Sequence, residues 1–215
     1  MLRDNISYEY RAWPSTRMPH YEALHNMFGL GVAEIRIDTY ILSPSHPDWL
    51  IIFRGGTQID IKVRAGLEDP LSAWKTPVKS VLPLRRSVVR TLQDAFPTSE
   101  LPHRVSAPVD LISWLGEHAE IFTVSKRMVK FQRNRCTAEL SQVESGGRRA
   151  ETFCLRANRS EHVMATLKTI PGPRLPNLDY GAWLQGRAVS PAPLPIEQKP
   201  QKTGRLSSSH AALLT

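Results

Sequence analysis

The chain has 215 residues, 41% of them hydrophobic, and a formal net charge of +8 at pH 7. This apolar content is enough to build a core, which excludes a chain that is disordered throughout. The excess of Lys and Arg favours a polyanionic partner, such as a chain of phosphates, nucleic acid or an acidic membrane surface.

The cysteines and the N-terminus indicate the compartment. Cys136 and Cys154 lie in neither a Cys-x-x-Cys nor a Cys/His spacing, so they predict neither a zinc site nor a disulfide scaffold. The opening residues, MLRDNISYEY, contain no apolar run, and no stretch approaches the length of about 18 apolar residues that a membrane span needs. We therefore expect a cytoplasmic protein with no membrane partner.

Hydrophobic periodicity divides the first half of the chain into strands and one helix. A Gly-Gly pair at 55–56 provides the positive φ angles of a tight hairpin turn, and Gly29 closes the helix. The predicted elements are a strand over 5–13, a helix over 20–28, and strands over 33–42, 49–54 and 58–66. Residues 66–85 contain three prolines and are predicted to be irregular.

The second half repeats the mixture of strands and short helices, with another Gly-Gly hairpin at 146–147. We predict helices over 85–96, 108–117, 160–170 (with Ser160 as N-cap) and 177–186, and strands over 121–131, 136–144 and 150–156. Residues 188–215 are rich in Pro, Ser, Gln and Lys and predict a disordered tail after one domain over 1–187. Many antiparallel strands with short helices favour a closed barrel or a sheet with helices packed outside.

Charged residues recur on one face of several predicted strands. In the segment QIDIKVRAG, Asp60, Lys62 and Arg64 alternate with apolar residues. The same alternation marks Glu9, Arg11, Arg54, Lys126, Lys130 and Glu139. If these faces meet, they form a basic channel in which Arg and Lys bind phosphate and the acids hold Mg²⁺ or Mn²⁺. The alternative is a sheet whose polar face is simply solvated, and the periodicity fits both.

The order of several stretches resembles the CYTH superfamily, the triphosphate tunnel enzymes related to adenylate cyclase and thiamine triphosphatase. The stretches are YEYRAW, FRGGTQIDIKVR, VSKRMVKF, the TAELSQVE to ETFCLR hairpin and NLDYGAWL, within residues 5–187. The resemblance implies an α+β fold: an antiparallel, eight-stranded, tunnel-like β-barrel with short helices packed outside.

The resemblance also implies roles for the charged residues. Glu9 and Arg11 would occupy catalytic positions on the first strand. Bases of the tunnel would bind phosphate at Arg54, Lys62, Arg64, Lys126 and Lys130. Magnesium or manganese would be held by Glu9 with Asp60 or Glu139.

The sequence departs from the family pattern at two places. The first-strand signature Glu-x-Glu-x-Lys reads Ser7-x-Glu9-x-Arg11, and the late Glu-x-Glu pair is replaced by Cys154-Leu155-Arg156. These changes remove metal-ligating carboxylates and add positive charge. Arg11 stays protonated at any ordinary pH, so it cannot act as a base.

Two functions are therefore predicted. In the first, a basic tunnel binds a triphosphate or polyphosphate-type anion, with weak or no metal-dependent phosphohydrolase activity. In the second, the chain is an active CYTH-type triphosphatase that hydrolyses inorganic or nucleoside triphosphate. The sequence has no aromatic-rich RNA-binding signature, zinc-finger spacing or helix-turn-helix, so a phosphate-rich small molecule is preferred over nucleic acid as the partner.

Overall fold

The fold is a closed β-barrel with helices on its outside. The computed structural model describes residues 6–14, 20–96, 102, 104–133, 135–172 and 174–186. The strands are β1 (Ile6–Ala12), β2 (Val32–Ser43), β3 (His46–Arg54), β4 (Gln58–Glu68), β5 (Leu71–Val81), β6 (Glu120–Arg133), β7 (Cys136–Ser145) and β8 (Arg148–Ala157). The helices are α1 (His20–Phe28), α2 (Arg86–Gln93), α3 (Pro108–Leu115), α4 (Ser160–Thr169) and α5 (Tyr180–Leu184).

All neighbouring strands pair antiparallel, in the order β1-β5-β4-β3-β2-β6-β7-β8, and β8 closes the cylinder against β1. The Gly-Gly pairs at 55–56 and 146–147 form the β3–β4 and β7–β8 turns, and all four glycines have positive φ between 56° and 76°. Only glycine adopts such angles without a steric cost, which is why these turns were readable from the sequence. The predicted eight-stranded α+β barrel is confirmed.

Two hydrophobic layers cover the outside of the barrel. On one side, Ile51 and Phe53 of β3 and Ile59 and Ile61 of β4 pack against apolar residues of α2 and α3. On the other side, α1 and α4 cover the outward side chains of β1, β6, β7 and β8; Leu24 and Val163 are fully buried there. These layers hold the helices on the outside of the cylinder and leave the inward faces of the strands free for polar residues.

A third hydrophobic cluster lies inside the barrel at one end. Its centre is Trp13, which follows β1 and stacks on Trp183 of α5 with ring centroids 4.5 Å apart. Inward-facing residues of the strands complete the cluster, including Tyr40, Leu42, Leu50 and Trp74. Trp13 donates a hydrogen bond from Nε1 to the carbonyl of Leu178 (2.8 Å), which fixes the segment that leads into α5. We call α5 and this cluster the plug, because together they close one end of the barrel.

The prediction of irregular structure over 66–85 is wrong. β4 extends to Glu68, and β5 occupies Leu71–Val81 despite Pro77. The pairing of β4 with β5 shifts register between Ile61 and Val63, which lie opposite Val78 and Lys75. A proline is tolerated in a sheet at such an irregularity, because its missing N–H interrupts no regular ladder.

Smaller differences concern helix ends and the tail. Ser160 is the first residue of α4, and the cap position is held by Arg159 without a side-chain cap hydrogen bond. The N-cap predicted at Ser160 is thus one residue displaced, which is the ordinary uncertainty of a helix end. The tail predicted over 188–215 lies outside the described residues. No helix in the described ranges is long and apolar enough to cross a membrane.

Gly31, just before β2, gives a test of the packing between α1 and the barrel. A Cβ atom at this position would lie 2.8 Å from Cε1 of Phe131 and still closer to Cγ1 of Val129. We expect Gly31→Ala to lower the free energy of unfolding by about 1–3 kcal/mol, because overpacking forces neighbouring atoms to shift. Urea denaturation measures the change.

Gly66→Ala is the matched control, because a Cβ atom at Gly66 meets nothing within 4 Å. We expect its free energy of unfolding to stay within about 0.5 kcal/mol of the wild-type value. Equal effects of the two substitutions would contradict the close contact at Gly31.

Candidate functional site

The inward faces of the strands carry a dense set of charges. Side chains alternate between the inner and outer faces of each strand. Residues that pair across two strands point to the same face, so an inward-facing residue on one strand lies beside an inward-facing residue on the next. More of these side chains are basic than acidic. The bases are Arg11, Arg36, Arg54, Lys62, Lys126, Lys130 and Arg156, and the acids are Glu9, Glu34, Asp38, Asp60 and Glu139.

One cluster of charges surrounds Arg11 on β1. Its Nε lies 3.2 Å from Oε1 of Glu9, and its Nη2 lies 3.6 Å from Oε1 of Glu139 on β7. Its Nη1 also donates to Oγ1 of Thr152 at 3.3 Å. Lys62, on β4, donates to the other oxygen of Glu9 at 3.3 Å. The guanidinium of Arg11 therefore lies between the carboxylates of Glu9 and Glu139, two of the predicted metal ligands.

A second cluster surrounds Asp38 on β2, whose side chain is fully buried. The carboxylate lies 2.6 Å from Nε of Arg36 and 2.7 Å from Nζ of Lys126, and Nη1 of Arg54 is 3.7 Å away. Arg54 also donates to Asp60. Three positive charges thus surround one buried carboxylate, an arrangement that is stable only while all partners stay charged.

Burial and the charged neighbours act in opposite directions on the pKa values of these groups. Burial alone would raise the pKa of Glu9, but the charges of Lys62, Arg11 and Arg156 outweigh burial and bring it well below its usual range. The pKa of Asp38 is likewise lowered, since Lys126 and Arg36 overcome the effect of burial. Burial lowers the pKa of Lys126 to about 8, with Asp38 opposing this fall. Glu9 and Asp38 are therefore ionised at neutral pH.

Tyr180, the first residue of α5, brings the plug into contact with these charges. Its ring centroid lies 4.4 Å from Cζ of Arg11 and 4.2 Å from Nζ of Lys126, close enough for cation–π attraction to both. Its buried hydroxyl has no hydrogen-bond partner among the described residues. Burial raises the pKa of Tyr180, so the hydroxyl stays protonated and can donate.

Two of the predicted phosphate-binding bases lie away from the centre. Arg64 pairs with Asp179, whose Oδ1 accepts from the backbone N–H of Ala182 and caps α5, and it also lies 3.2 Å from Asp48. Arg64 therefore links β4 to the N-terminus of α5, which is part of the plug. Lys130 pairs with Glu34 nearer the opposite end. Arg54, Lys62 and Lys126 are the predicted bases that the structure brings to the middle of the barrel.

Each of the three predicted metal ligands contacts a cationic side chain. Glu9 and Glu139 both contact Arg11, while Asp60 accepts from Arg54. The described part of the chain contains no group of three or more His, Cys, Asp or Glu side chains that could hold a metal ion. Oδ1 of Asp60 is buried and has no hydrogen-bond partner among the described residues.

Sequence reasoning missed Glu34, Arg36, Asp38 and Tyr180 as interior residues. A signal was present, since Arg36 and Asp38 alternate with isoleucines as Asp60 and Lys62 do. Here the rule that the apolar face turns inward fails: Ile35 is 80% exposed and Ile37 is 57% exposed, while Asp38 is buried. For Tyr180 no local pattern exists, because only the closure of the barrel brings α5 against β1 and β6.

Asp38→Asn tests the second cluster. The substitution leaves Arg36, Arg54 and Lys126 facing a neutral amide, so we expect the free energy of unfolding at pH 7 to fall by about 3–5 kcal/mol. Glu144→Gln is the control, because Glu144 pairs with Arg149 on the surface and its loss should cost about 1 kcal/mol or less. Urea denaturation compares them.

The same pair of variants has an expected pH dependence. Asp38 has a lowered pKa in the folded state, so its stabilising effect is present above its unfolded pKa and is lost as the pH falls through the folded value. We therefore expect the stability difference between wild type and Asp38→Asn to shrink on acidification. A difference that stays constant down to acid unfolding would contradict this assignment.

The comparison with solved structures supports the barrel architecture. No family model matches the chain, and no curated protein matches it. Among solved structures, the PH1819 protein of Pyrococcus horikoshii aligns with a TM-score of 0.52 and 14% identity, over 85% of this chain and 99% of the other. At 14% identity this likeness concerns the fold alone.

Two further solved structures have lower scores. A candidate adenylyl cyclase from Hippeastrum, described as having a dominant triphosphatase activity, aligns with a TM-score of 0.46 and 12% identity, over 84% of this chain and 95% of the other. A candidate adenylate cyclase from Bacillus halodurans aligns with a TM-score of 0.45 and 11% identity, over 77% and 92%. In its closed eight-stranded barrel, this chain shares its fold with the PH1819 protein of Pyrococcus horikoshii.

Proposed function

We propose that the barrel binds a triphosphate or polyphosphate-type anion in its basic interior, and that this binding needs no divalent metal. The observation that carries the proposal is the cluster at Arg11, where a fixed guanidinium lies between Glu9 and Glu139. A phosphate chain needs positive charge around its oxygens, and here that charge belongs to the protein itself.

The balance of interior charge supports an anionic ligand. Arg54, Lys62 and Lys126 come from three strands and face the middle of the barrel. Arg54 and Lys126 both contact Asp38, and Lys62 contacts Glu9. Because bases outnumber acids on the inward faces, phosphate oxygens would complete pairs that the carboxylates leave partial. Arg and Lys bind phosphate more strongly when partly desolvated, as these side chains are.

Unpartnered buried atoms give a second line of support. The hydroxyl of Tyr180 lies beside Arg11 and Lys126 and has no protein acceptor among the described residues. A buried hydroxyl without a partner is costly, so such groups commonly meet a ligand or water. A phosphate oxygen next to Arg11 and Lys126 would also accept a hydrogen bond from the hydroxyl of Tyr180.

A resident Mg²⁺ or Mn²⁺ does not fit the present arrangement. Glu9 is the retained carboxylate of the first-strand signature, but both of its oxygens contact cationic side chains. A metal there would have to displace Arg11 or lie beside it, at a cost in like-charge repulsion. Arg11 cannot exchange a proton either, so it would hold an oxygen anion without serving as a base.

Binding is tested by thermal denaturation with inorganic tripolyphosphate in EDTA. A ligand that prefers the folded state raises the melting temperature, so we expect stabilisation without metal. Lys62→Gln should weaken binding about tenfold, because it removes one charged contact with the anion. The ion pair between Glu9 and Arg11 remains in this variant.

Arg127→Gln is the matched control for Lys62→Gln, because it removes the same charge from an exposed position on β6. We expect it to bind tripolyphosphate nearly as the wild type does. Stabilisation that disappears in EDTA, or that both variants lose equally, would refute metal-independent binding in the barrel.

The second candidate is the CYTH-type triphosphatase, which the retention of Glu9 and Glu139 on the interior favours. It predicts release of phosphate from tripolyphosphate or a nucleoside triphosphate with Mg²⁺ or Mn²⁺, and its loss in Glu9→Gln. A malachite green assay measures this release. We expect release no higher than that of Glu9→Gln, because Arg11 holds both carboxylates; clear metal-dependent turnover would establish the enzyme instead.

A further inference from the structure

A cavity of about 410 Å³ lies at the end of the barrel opposite the plug. Ser7, near the start of β1, and Arg156, near the end of β8, line it, whereas Trp13 of the plug follows the other end of β1. The turn after β6 and the start of α4 form its remaining walls. We call this cavity the mouth pocket.

The mouth pocket is strongly basic. Its lining includes Arg135, Arg156, Arg159 and His162, and none of its lining residues is acidic. Arg159 pairs with Glu161, an exposed residue outside the lining, while Arg135 and Arg156 have no ion pair among the described residues. This differs from the barrel interior, where most bases already contact carboxylates.

Neutral donors complete the surroundings of these bases. Gln132, Thr137 and Asn158 line the same cavity and can donate hydrogen bonds to an oxygen anion. α4 begins at Ser160 with no side-chain cap from Arg159, so the positive end of its dipole lies at the wall that Asn158 and His162 form. Planar guanidinium groups beside such donors match the oxygens of a phosphate group.

We propose that the mouth pocket is a second anion site, which holds one phosphate group against Arg135, Arg156 and His162. The ligand is either free inorganic phosphate or a phosphate monoester on a larger molecule, and the pocket is large enough for part of that molecule. Arg135 and His162 lie at the rim, outside the clusters at Arg11 and Asp38, whereas the charge of Arg156 also reaches Glu9. Arg135→Gly therefore tests the pocket separately from anion binding in the barrel interior.

The test is a titration of the full chain with inorganic phosphate, followed by the amide resonances of Gln132, Thr137 and Asn158 in about 0.15 M salt, which screens nonspecific attraction. We expect saturable shifts at these amides. Arg156→Gln and Arg135→Gly should each weaken binding about tenfold, as the loss of one charge-assisted contact predicts.

The variants are chosen to remain folded. Arg135 is exposed and has φ of 64°, so glycine removes its side chain without straining the turn. Arg149→Gln removes the same charge from an exposed pair with Glu144 outside the lining and should leave the affinity unchanged. Melting temperatures verify folding, and Arg135→Gly decides the outcome should Arg156→Gln fail to fold.

A parallel titration with phosphoserine identifies the source of the phosphate. Tighter or equal binding of phosphoserine assigns the pocket to a phosphate monoester, and weaker binding assigns it to inorganic phosphate. Lys62→Gln should leave phosphate binding at the mouth pocket intact while weakening the binding of tripolyphosphate in the barrel interior. The two proposals can therefore be refuted separately. Shifts that do not saturate, that lie elsewhere, or that Arg149→Gln reduces as much as Arg135→Gly would overturn the proposal.

Discussion

Burying charge inside a closed cylinder is the constraint on which the rest of this structure depends. A carboxylate such as Asp38, removed from water on all sides, is tolerable only beside opposite charges, and it has three. The partners come from β2, β3 and β6, so this one side chain links strands that are neighbours in the barrel. Glu9 makes a comparable link across the interior, from β1 to β4 and, through Arg11, to β7.

The plug divides the interior into an apolar end and a charged end. Trp13, Trp183 and the inward-facing leucines fill one end with rings and aliphatic side chains, which excludes water from that side of the charge clusters. Charge interactions strengthen as water is excluded. Tyr180 lies at the boundary between the two ends. Its ring packs against Trp13 of the plug and makes cation–π contacts with Arg11 and Lys126. Apolar packing at one end of the barrel thus strengthens the charge interactions in its middle.

The presence of an arginine and not a lysine at position 11 limits what the interior can do. A lysine has a compact charge that can lose its proton when buried, whereas a guanidinium keeps its charge and spans two carboxylates. In this barrel Arg11 does span Glu9 and Glu139, which ties up the groups that a divalent cation would need. Under the proposed function, an anion would be held by protein charge alone, with no proton transfer at Arg11.

Local patterns in the sequence were sufficient for seven of the eight described strands, the hairpin glycines and the charged faces of β4 and β6. They work because alternation and positive-φ turns are properties of a few adjacent residues. The eight-stranded closure was inferred by resemblance, and β5 was missed because Pro77 hides a strand whose irregular register accommodates it.

Only the tertiary structure decided which charges meet. Arg64 shares a face with Asp60 and Lys62, yet it binds Asp179 at the plug, because a strand crosses the barrel and its ends lie in different surroundings. Glu9 and Glu139, from different strands, both contact Arg11, whereas Asp60 contacts Arg54. Residues far apart in sequence, such as Arg11 and Tyr180, become neighbours when the cylinder closes. The sequence alone determined the alternation of charge, and closure of the barrel determined the pairing.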